Sequence, residues 1–233
     1  MSKQIGIFGA IVALATVLSA CAPTPAPVKP RPVAKYQGRP YPPMGASPNL
    51  ATPQALADGT RQTVNSNLSP EQTAWNLRSA FNVAALNCQK PEHAPILTSY
   101  GDFLRSHKSE LASINRSLDN NFRNNHGKSY IRKREATQTQ VYNYFALPPT
   151  IPALCNATLA MGQDLKAVSR GRLTASAPAA LAKLEAIFLE FFDSYDRYQR
   201  DFVQWQRDYI AKYNAAPSDG YFLPGEPRYT PQP

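Results

Sequence analysis

The sequence predicts an all-α fold: an antiparallel helical bundle of about five helices with a long C-terminal helix, flanked by disordered proline-rich segments. Between residues 69 and 213, apolar side chains recur three and four positions apart in five successive segments, the spacing of one face of an α-helix. The 22 prolines are sparse inside those segments, and ten of them fall between Pro23 and Pro53. A chain of 233 residues with 43% hydrophobic side chains suits one medium domain with tails.

The first element is a leader. Lys3 is the single charge before Ile5 to Ala20, an uncharged run of small and branched residues. A run of roughly 16 residues falls short of the ~20 needed to cross a bilayer comfortably as a helix, and its shape is that of a secretory signal peptide. It ends in Leu18-Ser19-Ala20-Cys21, a large apolar residue, two small ones and a cysteine, which resembles the lipobox of bacterial lipoproteins. The resemblance implies cleavage before Cys21, a diacylglycerol on the Cys21 sulfur and, usually, an acyl group on the freed amine. Ala22 follows, where lipoproteins retained in the inner membrane typically carry Asp, so the resemblance implies an outer-membrane address facing the periplasm. Ordinary cleavage in the A-x-A-like stretch Ala20-Cys21-Ala22 is the alternative, and Pro23 beside it disfavours that cut. Two or more acyl chains anchor stably, because each buried methylene contributes ~0.8 kcal/mol.

Residues 21–68 are expected to be a disordered tether. From Ala22 to about Thr60 there is no helical or strand period, and four cations face one anion. Such a segment, taken alone, buries too little apolar area to offset its ordering entropy. In polyproline II form, at ~3.1 Å per residue, it would reach roughly 100 Å. It is read as a spacer, with binding to peptidoglycan or to a partner protein's groove as the alternative.

Residues 69–213 form the expected helical domain. Ser69-Pro70-Glu71 combines a cap, a proline tolerated at the first helical position and an acid in the first turn. Ala74, Leu77, Phe81, Ala84 and Cys88 then mark the first stripe, which ends before Pro91. The second runs Leu97, Tyr100, Leu104, His107, Leu111, Ile114, Leu118 and stops between Asn120 and Gly127. A third helix from about Lys128 to Ala146 has a thin stripe of Tyr130, Thr137, Val141 and Tyr144, and Pro148 and Pro149 end it. A fourth carries Ile151, Leu154, Thr158, Met161, Leu165 and Val168 and stops near Gly171.

The last helix is the most distinctive. Leu181, Leu184, Phe188, Phe191, Tyr195, Tyr198, Phe202, Trp205 and Tyr209 alternate three and four apart, the 3.5-residue period of left-handed helix packing. That face must be buried, either in the bundle or, as the alternative, against a second copy or a partner helix, so oligomeric state stays open. Residues 214–233 are expected to be a disordered tail.

With Cys21 lipidated, Cys88 and Cys155 remain. An even pair in an oxidising compartment predicts a disulfide, with two buried thiols as the alternative. Short connections suggest helices running up, down, up and down, which brings the end of the first helix and the start of the fourth to one end of the bundle. Those are the positions of Cys88 and Cys155.

No catalytic residue, metal ligand or cofactor site is identified. His93, His107 and His126 have no partner at zinc-ligand spacing, and His107 is expected as a hydrogen-bonded core histidine. Phosphate-binding glycine loops and a G-x-S-x-G elbow are missing. Glu185, Glu190, Asp193 and Asp196, interspersed with Lys183, Arg197 and Arg200, suggest a solvated helix face. The net charge of +9, or +8 once Lys3 leaves with the leader, favours anionic partners. Export argues against nucleic acid. The densest positive patch is Tyr130-Ile131-Arg132-Lys133-Arg134 with Lys128 and Arg123 nearby, suited to a solvated surface or to acidic cell-wall or lipid groups.

The stretch from Trp75 to Cys88, with the later helix carrying Cys155, resembles alphaproteobacterial envelope proteins, a resemblance that implies no activity. The expected function is a lipid-anchored, non-enzymatic binding or assembly module of the periplasm, with the membrane as one partner through Cys21 and peptidoglycan or another envelope protein as a further one. The competing expectation is a cell-wall-acting enzyme or an accessory subunit of one. It requires several of His93, His107, Glu92 and Asp102 to face a single cleft.

Overall fold

A computed structural model describes residues 38–213 of the chain. They hold six α-helices: α1 (Pro70–Asn87), α2 (Pro95–Ser106), α3 (Lys108–His126), α4 (Tyr130–Phe145), α5 (Ile151–Lys166) and α6 (Leu173–Tyr213). One antiparallel bridge, Ala55 to Arg61, is the only extended pairing among the described residues, so the fold is all-α. None of the described helices is long and apolar enough to cross a membrane. The leader, Cys21 and the tail 214–233 lie outside the described residues.

The first helix starts as its sequence dictates. The Ser69 hydroxyl accepts from the Gln72 N–H at 3.2 Å, and Pro70 occupies a position that needs no N–H partner. Ala74, Leu77, Ala80, Phe81 and Ala84 are buried. The three alanines keep that face thin, which lets α1 run through the middle of the bundle and pack against all five other helices.

The second predicted helix is divided in two. At His107 the backbone leaves helical values (φ −106°, ψ 18°), and α2 packs against α5 while α3 packs against α1 and α4. The buried face of α2 is Ile96, Tyr100 and Phe103, followed by His107, so Leu97 of the expected stripe is 63% exposed and Leu104 only half-buried. Gly162 makes the α2–α5 approach possible, because a Cβ there would stand 3.1 Å from Ser99 Cβ. After the break, Glu110 in the first turn of α3 accepts from the backbone N–H groups of Leu173 and Thr174, both at 3.2 Å. A side chain of one helix thereby caps the start of another. Burial alone would raise the Glu110 carboxyl, but the Thr174 and Leu173 N–H groups outweigh it and hold it below its ordinary range.

The predicted third and fourth helices are α4 and α5, with Val141 and Phe145 of α4 and Leu154, Thr158, Met161 and Leu165 of α5 buried.

The long helix, at 41 residues, spans about 60 Å. Its seam from Leu181 to Trp205 is buried within the chain itself, and Tyr209 is half-buried. Successive rings touch along it, Tyr195–Tyr198 at 5.5 Å, Tyr198–Phe202 at 5.8 Å and Phe202–Trp205 at 5.6 Å. Tyr144 of α4 stacks on Phe188 at 4.6 Å.

Of the expected tether, residues 21–37 lie outside the described residues, and from Gly38 onward the chain is laid against α6. The Arg39 guanidinium sits 5.4 Å from the Phe202 ring centre. The Tyr195 hydroxyl donates to the Ser47 carbonyl at 2.7 Å and accepts from the Leu50 N–H at 2.9 Å. Arg61, with its side chain 5% exposed, bonds Asp193 at 2.8 Å and Asp196 at 2.7 Å. Gly59, at φ +84°, permits the turn that returns the chain to Arg61. Composition condemns this segment only when its own surface is counted. In place, it covers surplus aromatic surface that α6 supplies.

Candidate functional site

Cys88, at the end of α1, is bonded to Cys155 in the second turn of α5, with Cα atoms 5.5 Å apart at a sequence separation of 67. Both ends meet at one end of the bundle, and a loop of that size stabilises by about 4 kcal/mol in the chain-entropy picture.

The four residues that an enzyme would need together are scattered. His93 is buried with Nε2 2.9 Å from Asn156 Oδ1. His107 is buried against Phe103, ring centres 5.2 Å apart. It is a core histidine as expected but lacks a hydrogen bond: Nδ1 stands 3.6 Å from Glu110 Oε2, too far for one. Glu92 is exposed, and Asp102 pairs with Arg105 three residues on. None of the four lines any of the three clefts described below. His126 is exposed beside Phe122, and among the described residues no cluster of three or more His, Cys, Asp or Glu could hold a metal ion.

Of the expected solvated face of α6, Glu190, Arg197 and Arg200 are exposed, but the other three acids are engaged. Asp193 and Asp196 hold Arg61, while Glu185 accepts from Thr63 Oγ1 and Asn65 Nδ2, each at 2.5 Å. Lys183 pairs instead with Asp164. Burial would lower the Arg61 guanidinium, and the two carboxylates outweigh it. Burial pushes the Tyr144 phenol strongly up, with the neighbouring Glu185 adding to it. A small cleft of about 270 Å³ lies among these groups, whose polar atoms already serve to hold residues 61–66 to α6.

The α3–α4 hairpin is different. No residue between Leu118 and Val141 is buried. Arg134 is tied to Asp119 and to Asn115 Oδ1, and Arg123 lies 4.7 Å over the Tyr130 ring while donating to its hydroxyl at 3.0 Å. Lys128, Arg132 and Lys133 are exposed, and among the described residues no ion pair engages them. Ile131 beside them is 55% exposed. The predicted basic patch is therefore split: Lys128, Arg132 and Lys133 face solvent, while Arg123 and Arg134 are engaged within the arm.

At the base of that arm lie two clefts with a common wall. One, of about 520 Å³, is lined by Trp75, Arg78, Leu104, Arg105, Lys108 and Leu111, among others. The other, of about 340 Å³, is lined by Trp75 and Arg78 again and by Tyr130, Arg134, Glu135 and Tyr142. The shared wall is fixed: Trp75 Nε1 donates to Gln138 Oε1 at 2.6 Å, Arg78 lies 5.1 Å from the Trp75 ring centre, and Arg78 Nη1 donates to the Tyr142 hydroxyl at 2.9 Å. Sequence reasoning passed over Arg78 because it lies off every apolar stripe. Its signal was an arginine three residues after a tryptophan on one helix, both outside the Ala74–Leu77–Phe81 face.

Comparison with family models, with curated proteins and with solved structures finds no match to this chain.

Proposed function

We propose that this chain is a lipid-anchored envelope protein, attached through a diacylglycerol on Cys21 to the outer membrane and facing the periplasm. Its helical domain acts as a non-enzymatic binding or assembly module. The observation that carries the binding reading is the α3–α4 arm, which buries nothing between Leu118 and Val141 and presents Lys128, Arg132 and Lys133 without ion partners. A surplus of exposed positive charge, Lys128, Arg132 and Lys133 against Glu135, suits an acidic envelope component, such as peptidoglycan or an acidic patch of another envelope protein. The Cys88–Cys155 bond supports export, because an oxidising compartment preserves such bonds.

Crosslinking in intact envelopes followed by pull-down tests this reading. The native chain should sediment with membranes and capture a discrete envelope component, Cys21→Ala should lose the acylated form, and the pair R132E and K133E should lose capture while staying anchored. Capture unchanged by that charge reversal would overturn the role of the arm.

A further inference from the structure

We infer that the larger cleft, bounded by α1, α2 and α3, is a binding site for an anionic amphiphile: a small molecule with one apolar body and one carboxylate or phosphate group. The inference rests on reading the domain as a binding module but not on acylation of Cys21. At about 520 Å³ the cleft lies within the range of small-molecule sites. Its lining contributes three cations, Arg78, Arg105 and Lys108, and not one Asp or Glu. The Trp75 ring and the Leu104 and Leu111 side chains supply the apolar surface.

Two features make this more than a gap between helices. The Trp75–Arg78 wall is held in place by Gln138 and Tyr142 of α4, so little ordering entropy is left for a ligand to pay. Gln138 is itself fixed by donating to Ser79 Oγ at 3.1 Å. The second feature is the break at His107, which sits between Arg105 at the end of α2 and Lys108 at the start of α3. Lys108 is exposed and no ion pair engages it; Arg105 has only the surface carboxylate of Asp102. The one side-chain amide acceptor in the lining, Asn115 Oδ1, is already taken by Arg134, so the lining offers chiefly donors, which suit an anion's acceptor oxygens. Charge and apolar area are what the site offers.

The chain from residue 22 onward, which retains the whole described body, should be titrated below the micelle concentration with dodecyl phosphate and with dodecanoate, by calorimetry and by tryptophan fluorescence. A Trp205→Phe background leaves Trp75 as the sole tryptophan to be excited selectively, since the chain has two. Saturable one-site binding is expected for either acid, at least ten-fold tighter than for dodecyltrimethylammonium. The exposed double variant R105E and K108E should weaken it at least ten-fold, and Trp75→Ala should weaken it in the calorimeter. A preference for one acid identifies the headgroup as carboxylate or phosphate. Equal binding of the cationic amphiphile, equal affinity in the double variant, inorganic phosphate binding as tightly as dodecyl phosphate, or no saturation of the unmodified chain would overturn the inference. The arm variant R132E and K133E should bind both acids normally, so loss of envelope capture and loss of amphiphile binding are separate results.

Discussion

The α6 end of the molecule and the α3–α4 arm solve opposite problems with similar residues. Both carry aromatic rings, arginines and acids. Along α6 the aromatic seam and three acids are used internally, Asp193 and Asp196 on Arg61, Glu185 on Thr63 and Asn65, and Tyr195 on Ser47 and Leu50, while Glu190, Arg197 and Arg200 stay exposed. On the arm, Lys128, Arg132, Lys133 and Ile131 are left facing solvent. Charged residues beside aromatics therefore mean architecture at one end and an unfilled contact surface at the other, and burial tells them apart.

The comparison can be broken at its strongest point first. Replacing Cys88 and Cys155 with Ala should cost about 4 kcal/mol and lower the melting temperature by about 10 °C, read by thermal melts with and without reductant. An unchanged midpoint would show that the α1–α5 link does not hold the internal end together. Tyr195→Phe comes next. It leaves the Leu50 N–H and the Ser47 carbonyl without their partner and should cost about 1–2 kcal/mol, with hydrogen exchange accelerated in residues 46–51 before the helices respond.

Glu110→Gln should cost about 1 kcal/mol at neutral pH, because it removes a charged cap from the start of α6. The sign follows from the depressed carboxyl. The contribution is complete above the ordinary value of 4.5 and is lost as the pH falls through the lower folded value, so wild type and variant should converge in stability in that acid range. Divergence on acidification would contradict the cap. The smallest effect belongs to the arm: R132E and K133E should move stability by less than about 0.5 kcal/mol while abolishing envelope capture.

The elements legible in the sequence were those with local signals. Ser69, Pro70 and Glu71 announce α1, the Leu181–Tyr209 seam announces α6, and Cys88 and Cys155 fall at matching ends of an up-and-down bundle. The break at His107 had no such signal, with neither glycine nor proline there; both halves touch α1, but α2 turns to α5 and α3 to α4. Residues 38–68 were misjudged for a related reason. Their ordering depends on rings and acids of α6 lying more than a hundred positions away, such as Tyr195 for Leu50 at a separation of 145. The cleft was hidden because its walls combine two stripe residues, Leu104 and Leu111, with residues off the stripes, Trp75, Arg78, Arg105 and Lys108, and a period within one segment carries no information about which residues of different helices face each other.

The placement of the domain is tested most directly by intact-mass analysis of the chain isolated from its native envelope. The account predicts a polypeptide beginning at Cys21, heavier than its sequence by a diacylglycerol and, usually, an amide-linked acyl chain, and lighter by the two hydrogens lost at Cys88 and Cys155. A polypeptide beginning at Met1, or one with an unmodified thiol at Cys21, would contradict it.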